Sequence, residues 1–291
     1  MSREASDGPA AGTKGSDMNG NTTTGHPRRL AILGVLIVAL FGISLDNTVL
    51  NIALPTLARD LSASASQLQW MVDAYVLVFA GFLLVSGALS DRFGRRRMLL
   101  SGLGAFGLGS ALAPFVGSAE QLIALRAFMG LGAALTMPST LSIVAEVFPA
   151  DERPKAIAAW SSVSGLGIVV GPILGGWLLE HFPWASVFIV NVPFVVVGIV
   201  ATLLVVPESK SPARVALDPL GALLSVGGLV GLVYGIIEFP GRGFGDPAIV
   251  VSLGAALVLL GAFVAWERRL EQPMLDVRLF ADRRFPKQRC R

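Results

Sequence analysis

The chain has 291 residues, of which 53% are hydrophobic and only 15% charged, against about 25% charged in an ordinary soluble domain. With a mean hydropathy of +0.68, this deficit excludes a chain whose surface is mostly wetted, and a lone cysteine, Cys290, excludes an internal disulfide. The net charge of +3 does not point to a nucleic-acid partner, because the basic residues fall in short segments between apolar runs, where they act as topology signals.

The first 29 residues are polar and rich in Gly, Ser, Thr, Asp and Asn. They read as a disordered tail without a cleavable signal peptide. A membrane-crossing helix needs ~20 apolar residues. Eight runs qualify: 30–54, 69–89, 98–117, 122–148, 157–180, 184–206, 218–239 and 247–266. None alternates with period two, so a β-barrel is not expected. Each run must then be helical, because lipid offers no partner for backbone polar groups.

The loops alternate in charge. Arg28 and Arg29, the cluster Arg92 to Arg97, Arg153 with Lys155, Lys210 with Arg214, and Arg268 with Arg269 share one side, while the other side holds only Arg59 and Arg242. This asymmetry predicts a multi-pass inner-membrane protein with both termini in the cytoplasm. The expected organisation is a disordered tail over 1–29, a six-helix bundle over 30–206, a polar cytoplasmic linker over 207–217, a two-helix hairpin over 218–266 and a polar tail over 267–291.

The loop between runs two and three reads Gly87-Ala88-Leu89-Ser90-Asp91-Arg92-Phe93-Gly94-Arg95-Arg96-Arg97. Gly87 is expected to let two helices approach, and Gly94 to make the tight turn. Asp91 can pair with neighbouring arginines or cap a helix. Run five carries Gly167, Gly171, Gly175 and Gly176 as a small-residue face, with Pro172 expected to bend the helix. Glu146 and Glu152 are expected to pair with Arg153 or Lys155, and Glu238 to be interfacial. Gly102-Leu103-Gly104-Ala105-Phe106-Gly107 matches a dinucleotide fingerprint but lies inside a span, which rules that use out. There is no cluster with metal-ligand spacing, no phosphate-binding loop and no nucleophile elbow. Neither an enzyme activity nor a cofactor or metal is expected.

The segment from Gly87 to Leu99 closely resembles the signature loop of the major facilitator superfamily. Leu45-Asp46-Asn47-Thr48-Val49-Leu50-Asn51-Ile52-Ala53-Leu54-Pro55 is similar to the first-span motif of its fourteen-helix drug:proton antiporter branch, and Trp70-Met71-Val72-Asp73-Ala74-Tyr75 resembles the second span of quaternary-ammonium exporters in that branch. Leu125-Arg126-Ala127-Phe128-Met129-Gly130 resembles the fourth-span motif, and Gly167 to Gly176 the fifth-span antiporter motif. The resemblance covers roughly residues 28–285. It implies an all-α integral membrane fold: an N-terminal six-helix bundle of two three-helix repeats plus a two-helix hairpin, eight spans in all.

Three ionisable residues stand inside apolar runs. Arg126 and Asp73 lie about four residues into their spans, ~6 Å deep, and Asp46 lies in the outer third of run one. An isolated charge at mid-membrane costs about 2.5–3.5 kcal/mol. Snorkelling to the interface is one reading of Arg126 and Asp73. The other is a mutual pairing of Asp46, Asp73 and Arg126 in a cavity that takes a proton and a cationic substrate, and the resemblance favours it by placing spans one, two, four and five along the central pathway.

The expected function is proton-coupled antiport of hydrophobic or cationic drugs, with the bilayer, protons and such small molecules as partners. Glu271 to Phe280 resembles the lead-in to a ninth span. The polar residues that follow suggest a C-terminally truncated exporter, inactive unless a second chain or a second copy supplies the other half. A non-transporting membrane partner protein or an inert gene fragment is the alternative.

Overall fold

A computed structural model of the protein describes residues 25–210 and 218–269. Residues 1–24, 211–217 and 270–291, with most of both expected tails, most of the linker and the ninth-span lead-in, lie outside the described residues. The elements are α1 (Arg29–Asp60), α2 (Ala65–Phe93), α3 (Arg95–Leu112) with a 3-10 turn at Ala113–Phe115, α4 (Ala119–Val147), α5 (Arg153–His181), α6 (Ser186–Ile189), α7 (Asn191–Val205), α8 (Pro219–Arg242) and α9 (Pro247–Glu267). Among the described residues there is no strand.

Local chemistry sets the boundaries. Ser64 and Gln67 form a reciprocal capping box that starts α2. Ser118, Asp218 and Asp246 cap α4, α8 and α9 by accepting from backbone N–H groups in the first turn. Proline stands in the first turn of α5, α8 and α9, where its missing N–H costs nothing. Gly94 separates α2 from α3 at φ +117°, a backbone region that favours glycine. Pro193 breaks the sixth span: it lacks an N–H, and its ring would clash with the carbonyl of Ile189, where α6 ends. Asn191 consequently opens α7.

Helix α1 packs on α5 and α7, α2 on α4 and α8, α3 on α4 and α7, and α8 on α9. Exchanging α1 with α4, α2 with α5, and α3 with α7 maps the bundle contacts onto themselves: α1–α5 becomes α4–α2, α1–α7 becomes α4–α3, and α3–α7 is unchanged. Such a pattern follows from two three-helix repeats. Glycines let backbones meet at these seams. A Cβ on Gly132 would stand 2.6 Å from the Phe106 nitrogen, and one on Gly130 2.5 Å from the Tyr75 carbonyl oxygen. Gly87, expected to be such a contact, is not: a Cβ there would lie an ordinary 3.8 Å from Pro138.

Large apolar side chains line the outside. Ile173 of α5 is 72% exposed and Leu257 of α9 70% exposed. Water would penalise such surfaces, whereas hydrocarbon accommodates them. Seven described helices or helix pairs are long and apolar enough to cross a membrane. Helix α2, bent by 54° between Leu83 and Val85, makes an eighth if its two parts form one span. The protein is an all-helical, multi-pass membrane protein.

Candidate functional site

An ion pair between α1 and α4 is buried in the bundle. Arg126 is fully buried and the Asp46 side chain is 1% exposed. The guanidinium donates from Nη1 to Asp46 Oδ2 and from Nε to the Met71 carbonyl of α2 at 3.0 Å. The other carboxylate oxygen, Oδ1, accepts from Asn191 Nδ2 of α7 at 2.9 Å. Asp46 therefore has one donor on each oxygen, from two helices. The Tyr75 ring covers the guanidinium, with Cζ 4.3 Å from its centroid, close enough for cation–π attraction. These partners offset the cost of holding two charges away from water, although Arg126 Nη2 is buried with no hydrogen-bond partner among the described residues.

Tyr75 also forms part of a cavity wall. A cavity of about 290 Å³ opens between α1, α2, α4 and α5, lined among others by Asn47, Tyr75, Phe79, Met137, Trp160 and Ser164, with no charged side chain in its lining. Its size is near the lower end of ligand clefts, ~300–1,000 Å³. Asn47 Nδ2 reaches the Tyr75 hydroxyl at 3.4 Å, Tyr75 stacks on Phe79 with centroids 6.3 Å apart, and Trp160 donates to Thr140 at 3.1 Å. The cavity can thus offer aromatic faces, amides and hydroxyls, while the charges stay one residue behind Tyr75.

Asp73 does not join this cluster. Met71 and Tyr75 face Arg126, and Asp73 lies two residues from each, ~200° around the helix. It points instead toward α8, into a groove of about 180 Å³ shared with Gln69, Val233 and Ile236. The expected pairing of three charges is thus corrected to a pair. Asp46 itself is nearer the middle of its helix than expected, because α1 continues to Asp60.

At the α2–α3 turn, Arg95 donates to Asp91 Oδ1 at 3.1–3.2 Å and to Glu146 Oε2 of α4 at 2.6 Å. Glu152 pairs with Arg29 at 2.6 Å. Both glutamates are therefore taken by arginines of other helices rather than by Arg153 or Lys155. Arg96 caps the Leu203 carbonyl at 2.7 Å, Arg92 lies over the Phe93 ring, and a Cβ on Gly94 would collide with Glu208. Glu238 accepts from Ser66 and Trp70 and pairs with Arg242, tying α8 to the start of α2.

Along α5, Gly167 and Gly171 meet Ser44 and Thr48 of α1, and Gly175 meets Val49. Thr48 also donates to the Gly167 carbonyl at 3.0 Å. Gly176 is not part of this face: nothing lies within 4 Å of its Cβ position. Pro172 lies within the unbroken helix α5, on its exposed side. Asn191 was not among the residues expected at the site. Its signal in the sequence is a lone amide inside an otherwise apolar span, where polar residues are costly enough to mark a role.

Residues 36–267 match the sequence profile of the Major Facilitator Superfamily. Over 261 residues the chain is 41% identical to the multidrug efflux pump LfrA of Mycolicibacterium smegmatis, covering 89% of this chain and 52% of the relative. It is 36% identical to the methyl viologen resistance protein SmvA of Salmonella typhimurium, covering 88% and 52%. The chain thus spans about half the length of these relatives. A solved peptide transporter of the POT type shares its fold at a TM-score of 0.62 and 18% identity, covering 84% of this chain and 53% of that one. By its sequence profile and its helical architecture, the chain belongs to the Major Facilitator Superfamily.

Proposed function

We propose that the chain supplies one substrate-facing bundle of a proton-coupled antiporter that exports hydrophobic or cationic drugs. In this reading residues 30–206 form the bundle, the hairpin 218–266 is held against α2, and both termini face the cytoplasm of the inner membrane. The observation that carries it is the buried Asp46–Arg126 pair, joined to an uncharged aromatic cavity through Tyr75. Protonation of Asp46 removes the charge that opposes Arg126, and the Tyr75 ring, shared by the guanidinium and the cavity, carries that change to a bound cation. The names of the relatives, a multidrug efflux pump and a methyl viologen resistance protein, support the same reading. Alternating access needs two bundles moving about a central site, so turnover requires a second bundle, from further sequence, a partner chain or a second copy.

The test is binding of tetraphenylphosphonium to the purified full chain in lipid nanodiscs, followed by tryptophan fluorescence between pH 5 and 8. Saturable binding is expected that varies with pH, weakens at least ~10-fold in Tyr75→Leu and loses its pH dependence in Asp46→Asn. Binding that is independent of both side chains overturns the reading. Proton-driven efflux by the monomeric chain in proteoliposomes overturns the need for a second bundle.

A further inference from the structure

We propose that Asn191 is a positioning residue that holds Asp46 in both of its protonation states by inverting its side-chain amide. The inference rests on the reading of Asp46 as the proton carrier.

A carboxyl that gains and loses a proton in a dry site faces a hydrogen-bonding problem. The ionised form needs donors on both oxygens, and the protonated form needs an acceptor for its new O–H. Arginine and lysine serve only the first form. A side-chain amide serves both, because its two ends are nearly the same size and carry opposite functions. In the structure Asn191 presents its Nδ2 to Asp46 Oδ1 at 2.9 Å, the arrangement suited to the ionised acid. Its own Oδ1 is buried and has no partner among the described residues. Turning the amide by 180° therefore breaks no bond except the one it replaces.

After inversion, Asp46 carries its proton on Oδ1 and donates to Asn191 Oδ1. Asp46 Oδ2 still accepts from Arg126 Nη1, so the link between α1 and α4 survives protonation. The charged and aromatic side chains that the neighbouring helices present cannot do this. Arg126 of α4 is donor-only, and Tyr75 of α2 is turned face-on to the guanidinium. Helix α5 meets α1 with Gly167 and Gly171 and carries no charged side chain between Lys155 and Glu180. Asp73 of α2 faces α8. Asn191 is the first residue of α7, two residues before Pro193.

The test is the acid-minus-neutral infrared difference spectrum of the purified full chain in lipid bilayers, with asparagine labelled at the side-chain carbonyl carbon. Two bands are expected to develop over the same pH range: a protonated carboxyl band lost in Asp46→Asn, and a labelled amide band lost in both Asn191→Leu and Asp46→Asn. In Asn191→Leu the carboxyl band is retained at higher frequency, as its O–H has lost its acceptor. A carboxyl band that depends on Asp46 without any amide band that depends on Asn191 overturns the proposal alone. The absence of a carboxyl band that depends on Asp46 overturns the reading of Asp46 as the proton carrier, and the proposal with it. Because Asp46→Asn removes the amide band by a different substitution, the outcome does not hang on the folding of Asn191→Leu.

Discussion

Replacing Arg126 with methionine removes the cation paired with Asp46 among the described residues and keeps roughly the same volume. Asp46, 1% exposed, would be left with Asn191 as its single donor. Breaking one side of a buried pair costs about 3–5 kcal/mol, and an unpaired charge at mid-membrane about 2.5–3.5 kcal/mol, so a loss of about 3 kcal/mol or more is expected. Asp46→Leu should cost a similar amount, because it strands the guanidinium and also leaves the Asn191 amide without an acceptor. The double variant carries no unpaired charge. It loses the aim of the Asn191 amide, which is worth about 1–3 kcal/mol, and should therefore be far more stable than the sum of the single losses. The assay is unfolding of the purified full chain in mixed micelles by SDS titration, followed by circular dichroism. A coupling energy of several kcal/mol is expected from the cycle. Additive losses, to within about 0.5 kcal/mol, would refute the pairing and the argument from burial together.

The antiporter-motif glycines make a matched pair. A Cβ on Gly171 would fall 1.9 Å from Thr48 Oγ1, so Gly171→Ala should cost about 1–3 kcal/mol by forcing α5 away from α1, whereas Gly176→Ala, with open space around it, should be neutral or up to ~1 kcal/mol stabilising through helix propensity; equal thermal midpoints for the two would contradict the packing. Asp73→Asn, on the opposite face of α2 from Tyr75, should combine additively with Arg126→Met, and a coupling above about 1 kcal/mol in the same SDS assay would bring Asp73 back into the charge cluster.

Hydropathy and charge alternation alone placed eight spans, and the helices overlap all of them. That part is legible because the solvent imposes it: a segment crossing hydrocarbon must be apolar, about 20 residues long and internally hydrogen-bonded, whatever its neighbours do. Asp46 and Arg126 were legible for the same reason, as charges where charge is costly. Which charges meet was not. Asp73 has a depth and an environment in the sequence much like those of its neighbours, and only the rotation of α2, set by packing against α4 on one side and α8 on the other, turns it away from Arg126. Gly175 and Gly176 are equivalent as letters, yet one faces α1 and the other open space. Glu146 and Glu152 had cations close in the chain and took arginines from other helices, because surface charges pair with what the assembled bundle brings near. Asn191, 145 residues from Asp46, was visible as an amide in a membrane span, but no periodicity says which helix will stand opposite. Hydropathy and charge are thus enough to read a membrane chain, its apolar runs and the charges inside them. The tertiary structure alone decided the partners, since helix rotation and contact are settled by side-chain packing between segments far apart in the chain.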